Sequence, residues 1–358
     1  MEPSGGQQEN SNGQGGAVVE GAHAKPTVCF LGPIASYTHQ ATLDTFPTDK
    51  FNLIPVETIK DIFDTTQSGR ATYGVVPFEN SSNGSVVFTL DQFADRAGEY
   101  PDLSVCAEIY LDVHHCLLGH SSSSQETGRV QSLNHVKRVY SHPQAFGQCV
   151  KFLRKHLRGV ETVDVSSTSR AAELAKADAT GSSAAISSAA AAPLLGLDVL
   201  ARNIEDREDN TTRFFVLRRG SPSPSPSHLS SPSSSSPHDL VLEEALSQRT
   251  KANDHDHENG GGRRGDVYTQ TKSLASFTVP HQAPGALADV LECFRRARLN
   301  LTSINSRPSL AAPFQYVFFV EFDGHRFRDP ERRVADALRS VADVAPSCRW
   351  LGSWDRMQ

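Results

Sequence analysis

Between Tyr73 and Asp91 the chain reads Tyr-Gly-Val-Val-Pro-Phe-Glu-Asn-Ser-Ser-Asn-Gly-Ser-Val-Val-Phe-Thr-Leu-Asp. A short apolar strand stops at Pro77. Glu79, Asn80, Ser81, Ser82, Asn83 and Gly84 then make a loop dense in hydrogen-bonding groups, and Ser85 opens a helix with Val86, Leu90 and Phe93 on one face. A strand end, a donor-rich loop and a helix N-terminus, in that order, is where α/β proteins hold anionic ligands. The same composition also suits an ordinary polar βα loop, and residue types alone leave both readings open.

Ordered segments must hold such a loop in place. Val28 to Leu31 reads as a strand, followed by a Gly32-Pro33 turn and a helix over Ser36 to Phe46. A strand at Asn52 to Val56, a helix through Ile59, Ile62 and Phe63, and a strand at Tyr73 to Val76 continue the alternation. Extended segments at Leu103 to Leu111, Val113 to Leu118 and Val136 to Tyr140 precede a helix opened by Pro143, with Phe146, Val150, Leu153 and Leu157 on one stripe. Strands at Val160 to Val165, Ala184 to Ile186, Val199 to Ile204 and Arg213 to Leu217 follow, with an Ala-rich helix capped within Ser166 to Ser169. Such alternation predicts α/β folding with mostly parallel sheets.

Composition bounds the function. The 358 residues carry a formal charge of -6, with 38% hydrophobic and 21% charged side chains. That balance excludes a general electrostatic pull on nucleic acid or acidic membranes, so neither is expected as a partner. Six cysteines without a Cys-x-x-Cys pair read as small buried hydrophobes in a reducing compartment. No apolar stretch approaches bilayer length, and the N-terminal residues lack an apolar run and arginine, so a soluble, cytoplasmic protein is expected. His114-His115-Cys116 lies in an expected strand, which sends adjacent side chains to opposite faces, and Asp254 to Glu258 lies in a tract with no frame to hold it. We therefore expect no metal site.

Two stretches cannot bury enough apolar area to offset the entropy of ordering them. Residues 1–24 are Gly/Gln/Asn/Ser-rich and read as a disordered tail. Residues 220–271 run through Ser-Pro repeats, a Ser run and an Asp/His/Asn/Gly tract, and read as a flexible linker with a short helix at most over Leu240 to Leu246. Over 272–358 a βαββαβ order predicts a ferredoxin-like α+β sandwich.

Four separated segments together resemble the prephenate dehydratase family. They are Gly32-Pro-Ile-Ala-Ser-Tyr-Thr-His-Gln-Ala41, the Pro77-Phe-Glu-Asn-Ser-Ser-Asn-Gly loop, Tyr140-Ser-His-Pro-Gln-Ala-Phe-Gly-Gln-Cys149 and Asn210-Thr-Thr-Arg-Phe-Phe215. Residues 272–358 resemble an ACT domain, a module that commonly binds amino acids. The resemblance is to a monofunctional, fungal-type member. It implies a catalytic domain over 25–219 with two periplasmic-binding-protein-like lobes, about 25–112 with 204–219 and about 113–203, followed by a regulatory ACT domain.

By the same resemblance Thr212, Asn80 and Gln148 are catalytic. Ser36, Tyr37, Glu79, Ser81, Gly84, Ser141, Gln144, Thr168, Arg213 and Phe214 bind the substrate prephenate. Ser36 at its helix N-terminus and Ser141 ahead of the Pro143 helix can each hold a carboxylate, and Arg213 can grip one bidentately. Thr168 is either a substrate contact or only a helix cap. No nucleotide or pyridoxal motif is present and the chemistry needs no cofactor. Gly285, Ala286 and Leu287, with Asn305, Ser306, Arg307 and Pro308, resemble the site for the effector L-phenylalanine, between ACT domains of a homodimer or homotetramer. Two positions depart from the family wording: Ala35 replaces a glycine and Asn305 replaces a glutamate. An arogenate dehydratase and a non-catalytic aromatic amino-acid sensor are the alternatives, and retention of Thr212, Asn80 and Gln148 together disfavours the sensor.

Overall fold

The computed structural model describes residues 25–121, 133–220, 241–247 and 267–357. The N-terminal tail, most of the low-complexity segment and the Asp254 to Glu258 tract lie outside the described residues. The first lobe holds β1 (Thr27–Leu31), α1 (Tyr37–Thr45), β2 (Asn52–Val56), α2 (Ile59–Gln67), β3 (Tyr73–Asn80), β4 (Gly84–Ser85), α3 (Val87–Ala94) and β5 (Leu103–Asp112). The second holds β6 (Cys116–Gly119), β7 (Arg138–Ser141), α4 (Pro143–Gln148), α5 (Val150–His156), β8 (Glu161–Asp164), α6 (Thr168–Ala177), β9 (Ser183–Ser187), α7 (Ala191–Leu195) and β10 (Asp198–Ala201). Strand β11 (Thr211–Arg219) returns to the first lobe, and a short helix, α8, spans 241–247. The C-terminal unit runs α9 (Val267–Gln270), β12 (Thr271–Thr278), α10 (Ala286–Arg296), β13 (Leu301–Pro308), β14 (Tyr316–Asp323), α11 (Arg333–Val344) and β15 (Ser347–Asp355), the expected βαββαβ order.

The two lobes have separate sheets, joined where the chain crosses between them. The second lobe's order is β10-β6-β9-β7-β8. The first lobe's strands, β2-β1-β3-β11-β5, continue without a break into β15-β12-β14-β13 of the C-terminal unit. Both lobes are mixed rather than mostly parallel. Strand β11 runs antiparallel to β3 and β5, and β6 runs antiparallel to β9 and β10, because these strands flank the crossings and enter their sheets reversed. The crossings lie side by side: the Val113 N–H donates to the Asn210 carbonyl at 2.7 Å and the Ile204 N–H to the His115 carbonyl at 2.9 Å. This two-lobed arrangement is periplasmic-binding-protein-like.

One core serves both the first lobe and the C-terminal unit. Phe63, Phe78, Phe93 and Phe215 pack in a single buried cluster with Leu274, Phe319, Leu351 and Trp354. Trp354 meets Phe215 edge-on at 5.0 Å between ring centroids, a favoured geometry for aromatic pairs. On the other face of the sheet, Leu242 and Ala245 of α8 are buried with Val28, Phe30, Phe46 and Phe51, and Lys50 pairs with Glu244 at 2.9 Å. The low-complexity segment thus contributes core residues, against expectation. Val241, Leu242, Ala245 and Leu246 recur at helical spacing and give it one apolar face.

Several boundaries differ from the sequence reading. Strand β3 passes Pro77 and runs to Asn80 because β11 pairs along it, and Ser85 sits in β4 opposite Glu79, so α3 starts at Val87. Residues 113–115 are not strand. The Pro143 helix breaks at Cys149 into α4 and α5. No helix among the described residues is long and apolar enough to cross a membrane.

Candidate active site

Asn80 ends β3 and Thr212 lies directly opposite it on β11. The Asn80 side-chain oxygen Oδ1 accepts the N–H groups of Ser82 and Asn83, both at 3.0 Å, which ties the loop down as Asx turns do. That contact orients the amide. Asn80 Nδ2 therefore donates, to the Thr212 hydroxyl oxygen at 3.0 Å and to Asn210 Oδ1 at 2.8 Å. Thr212 is thus an acceptor in this pair, and no acceptor for its own proton is found among the described residues.

From Asn210 the contacts pass into the second lobe. Asn210 Nδ2 donates to Gln148 Oε1 at 3.3 Å, and the same oxygen meets His115 Nε2 at 2.7 Å. With an oxygen facing Nε2, His115 carries its proton there, so Nδ1 accepts from the Tyr37 hydroxyl at 2.6 Å. Burial holds His115 below its usual pKa, against the opposing effects of Gln148 and Glu205, and so favours the neutral ring. Burial likewise pushes Tyr37 well above its ordinary value. Glu205 anchors the crossing, accepting from the His115 N–H and meeting His114 Nδ1, each at 2.8 Å.

The cluster Tyr37, Asn80, His115, Gln148, Asn210 and Thr212 therefore draws on α1, β3, α4, β11 and both crossing segments. It is made of neutral groups that donate and accept. Beside it, Ser36 caps α1 by accepting the His39 N–H at 3.1 Å, which leaves the first-turn N–H groups of Tyr37 and Thr38 without helical partners.

The prephenate dehydratase family model matches residues 28–222, more than half of the chain. The chain belongs to the prephenate dehydratase family. The bifunctional chorismate mutase/prephenate dehydratase of Aquifex aeolicus is 33% identical over 332 residues, 93% of this chain and 74% of that protein. The prephenate dehydratase of Methanocaldococcus jannaschii is 28% identical over 330 residues, covering 91% of this chain and 97% of that one. The crystal structure of prephenate dehydratase from Arthrobacter aurescens in complex with L-Phe superposes with a TM-score of 0.69 at 27% identity, covering 92% of this chain and 90% of that one.

In this member of the prephenate dehydratase family several expected substrate contacts lie elsewhere. Arg213 neighbours Thr212 on an extended strand, so its side chain leaves from the opposite face and meets Glu321, Glu79 and Glu108 instead of the cleft. Glu79 turns away from Asn80 for the same reason. Phe214 is 1% exposed and packs in the first lobe's core. Ser141 is fully buried in β7 and donates its hydroxyl to the Ile186 carbonyl at 3.0 Å, while His142 caps α4. Ser167 caps α6, which places Thr168 first inside that helix and settles the cap alternative against it. Gln144 is exposed on the first turn of α4. Ser81 clips the loop to β11, its hydroxyl accepting the Thr211 N–H at 3.0 Å, and Gly84 turns the hairpin at φ 77°. Ala35, where the family has glycine, takes φ 72° in the left-handed region that favours glycine.

Sequence reasoning missed Asn210 and His115. Asn210 heads the quoted Thr-Arg-Phe segment, but nothing in its spacing announces a 3% exposed link between lobes. For His115 the sequence weighs only a metal-ligand role, on an expected strand that is absent at residues 113–115.

In the C-terminal unit Gly285 caps α10 at φ 83°. The loop before it meets the end of β13: His281 Nε2 accepts the Tyr316 N–H at 3.2 Å, and Tyr316 pairs with Pro308. Asn305 accepts the Ser85 hydroxyl at 2.8 Å, and Arg307 grips Asp91 at 2.8 and 2.9 Å.

Proposed function

We propose that the cleft converts prephenate to phenylpyruvate, expelling carbon dioxide and the ring hydroxyl together. Prephenate carries a ring carboxylate, a pyruvyl carboxylate and a ring hydroxyl, and formation of the aromatic ring drives the step. The carboxylate's C–C bonding pair enters the ring as carbon dioxide leaves. The C–O pair departs with the hydroxyl, which takes up a proton from solvent and becomes water. One observation carries the assignment: Asn80 donates to the Thr212 oxygen, so the Thr212 proton is left for a ligand. Threonine is too weak an acid to surrender that proton near neutrality, so Thr212 acts as a hydrogen-bond donor to the leaving hydroxyl.

Asn80 and Gln148 orient the ring, and the first-turn N–H groups of α1 take the pyruvyl carboxylate. With Arg213 facing away, the cluster offers the ring carboxylate no counter-ion, which favours its loss. Purified protein given prephenate should raise phenylpyruvate absorbance, with arogenate as the parallel substrate. Turnover of neither would reduce the cleft to a binding site.

We further infer that phenylalanine is the effector and that 272–358 acts as an ACT regulatory domain in a homodimer or homotetramer. Gly285 to Leu287 and Asn305 to Pro308 would hold it. The Arthrobacter relative with bound L-Phe supports this reading, as does the convergence of the two segments at one end of the sheet. Strand β13 is an edge strand with Ile304 half-exposed, available to a second copy. Through Ser85 and Asp91 the same segment touches the loop and helix that follow Asn80, a route by which effector and substrate can influence each other. Calorimetric titration of phenylalanine should show Asn305→Glu binding about tenfold tighter than wild type, the scale of one charge-assisted contact. Equal binding would place the effector elsewhere. Six cysteines without a Cys-x-x-Cys pair support a cytoplasmic setting.

A further inference from the structure

Behind Asn80 and Thr212, on the opposite face of the β3–β11 pair, charged side chains of the first lobe and the C-terminal unit meet. Arg213 Nη1 donates to both oxygens of Glu321 on β14 at 2.8 and 2.9 Å, and Nη2 donates to Glu79 on β3 at 2.9 Å. Lys272 of β12 lies 3.2 Å from Glu108 and 3.4 Å from Glu321, whose Oε1 also accepts the Thr302 hydroxyl at 3.1 Å. The Arg213 guanidinium sits 4.9 and 5.4 Å from the ring centroids of Phe78 and Phe215. Arg213, Lys272, Glu108 and Glu321 are all more than nine-tenths buried.

Stability alone is a poor reason for such a cluster, because buried ion pairs lose in desolvation much of what they gain in attraction. Position supplies a better one. Arg213↔Glu79 and Thr212↔Asn80 are consecutive rungs of one ladder, and the register shifts between Arg213 and Phe214, where Phe78 is the extra residue. On its β5 side β11 pairs without a break from Thr211 to Val216, so the bulge frees only the end of β3, with Asn80, from the pairing below it. The Arg213–Glu79 pair, backed by Glu321, joins the Ser81–Thr211 contacts in aligning that end against Thr212.

We propose that Arg213 is a positioning residue: bridging Glu79 and Glu321, it sets the last rung of the ladder so that the Thr212 hydroxyl meets the departing group. Glu321 belongs to the C-terminal unit, so that unit completes the active site from behind. The proposal rests on the dehydratase reading of the cleft.

Wild-type turnover of prephenate is measured first, and its absence ends the dehydratase reading itself. Arg213→Lys keeps the charge but loses the fork that reaches two carboxylates at once. Its kcat should fall about thirtyfold, within the range for a misplacement of about 1 Å, with KM inside about threefold of wild type. In a Thr212→Val background the same change should cost less than about twofold, because the hydroxyl it positions is gone. Glu79→Gln removes the cross-strand charge at a partly exposed site and should repeat the pattern with about a fivefold loss. It decides the question alone where Arg213→Lys fails to fold. Equal losses with and without the Thr212 hydroxyl would overturn the proposal. A raised KM at unchanged kcat would overturn it too, and return Arg213 to substrate binding.

Discussion

At the scale of single residues, chemistry depends on which hydrogen each polar group has left to give. Thr212 accepts from Asn80 and keeps its own proton, so Thr212→Val should lower kcat by roughly 3 kcal/mol, the size of one lost oxyanion-type donor, with KM little changed. Turnover within about threefold of wild type would remove Thr212 from the mechanism. His115 gives a pH test. Above about pH 6.5 the ring is neutral in both folded and unfolded chains. Below that the unfolded chain takes up a proton that the buried ring resists, so stability falls as pH drops from about 6.5 toward the depressed folded value. The slope of Tm against pH between about 7 and about 5 should be smaller in His115→Gln, with His39, also lowered by burial, supplying part of what remains. An unchanged slope would show that His115 is not the group being resisted.

At the scale of elements, close backbone approach decides what docks. Strand β15 meets β5 at Gly352, whose φ of 152° and position leave a Cβ only 2.2 Å from the Val105 carbonyl oxygen and 2.7 Å from its nitrogen. Gly352→Ala must push the C-terminal unit off the first lobe and should destabilise the protein by at least about 2 kcal/mol. A melting temperature equal to wild type would mean that this junction is slack. Helix α8 makes a second case. Leu242 is 4% exposed beneath it, so Leu242→Ala should cost about 2 to 3 kcal/mol, where a linker with no packing role would show almost none. Denaturant midpoints at an unchanged slope measure both.

At the scale of the whole molecule, the C-terminal unit is part of the fold it was expected merely to regulate. It supplies Leu274, Phe319, Leu351 and Trp354 to the core around Phe215, and Arg349 pairs with Asp95 at the end of α3 at 2.9 Å. A chain ending at Gly220 would expose that core and leave Arg213 and Glu108 buried without Glu321 and Lys272. It should aggregate or melt far below the full chain. A soluble, cooperatively folded 1–220 fragment with full turnover would contradict both the shared core and the rearward support of Thr212.

The sequence by itself carried the order of elements, as local patterns of residue type and periodicity, and the family, through the wording of four short motifs whose resemblance implied two lobes and pointed to Thr212, Asn80 and Gln148. Only the tertiary structure decided which neighbours share a face. Thr212 and Arg213 are adjacent in one motif, yet the pleat sends one to the cleft and the other to the C-terminal unit. Nothing local shows that Glu321, 108 residues along the chain from Arg213, waits behind that strand. Asn210 and His115 were hidden for the same reason: their role depends on two crossing segments lying side by side, and that pairing is a long-range contact.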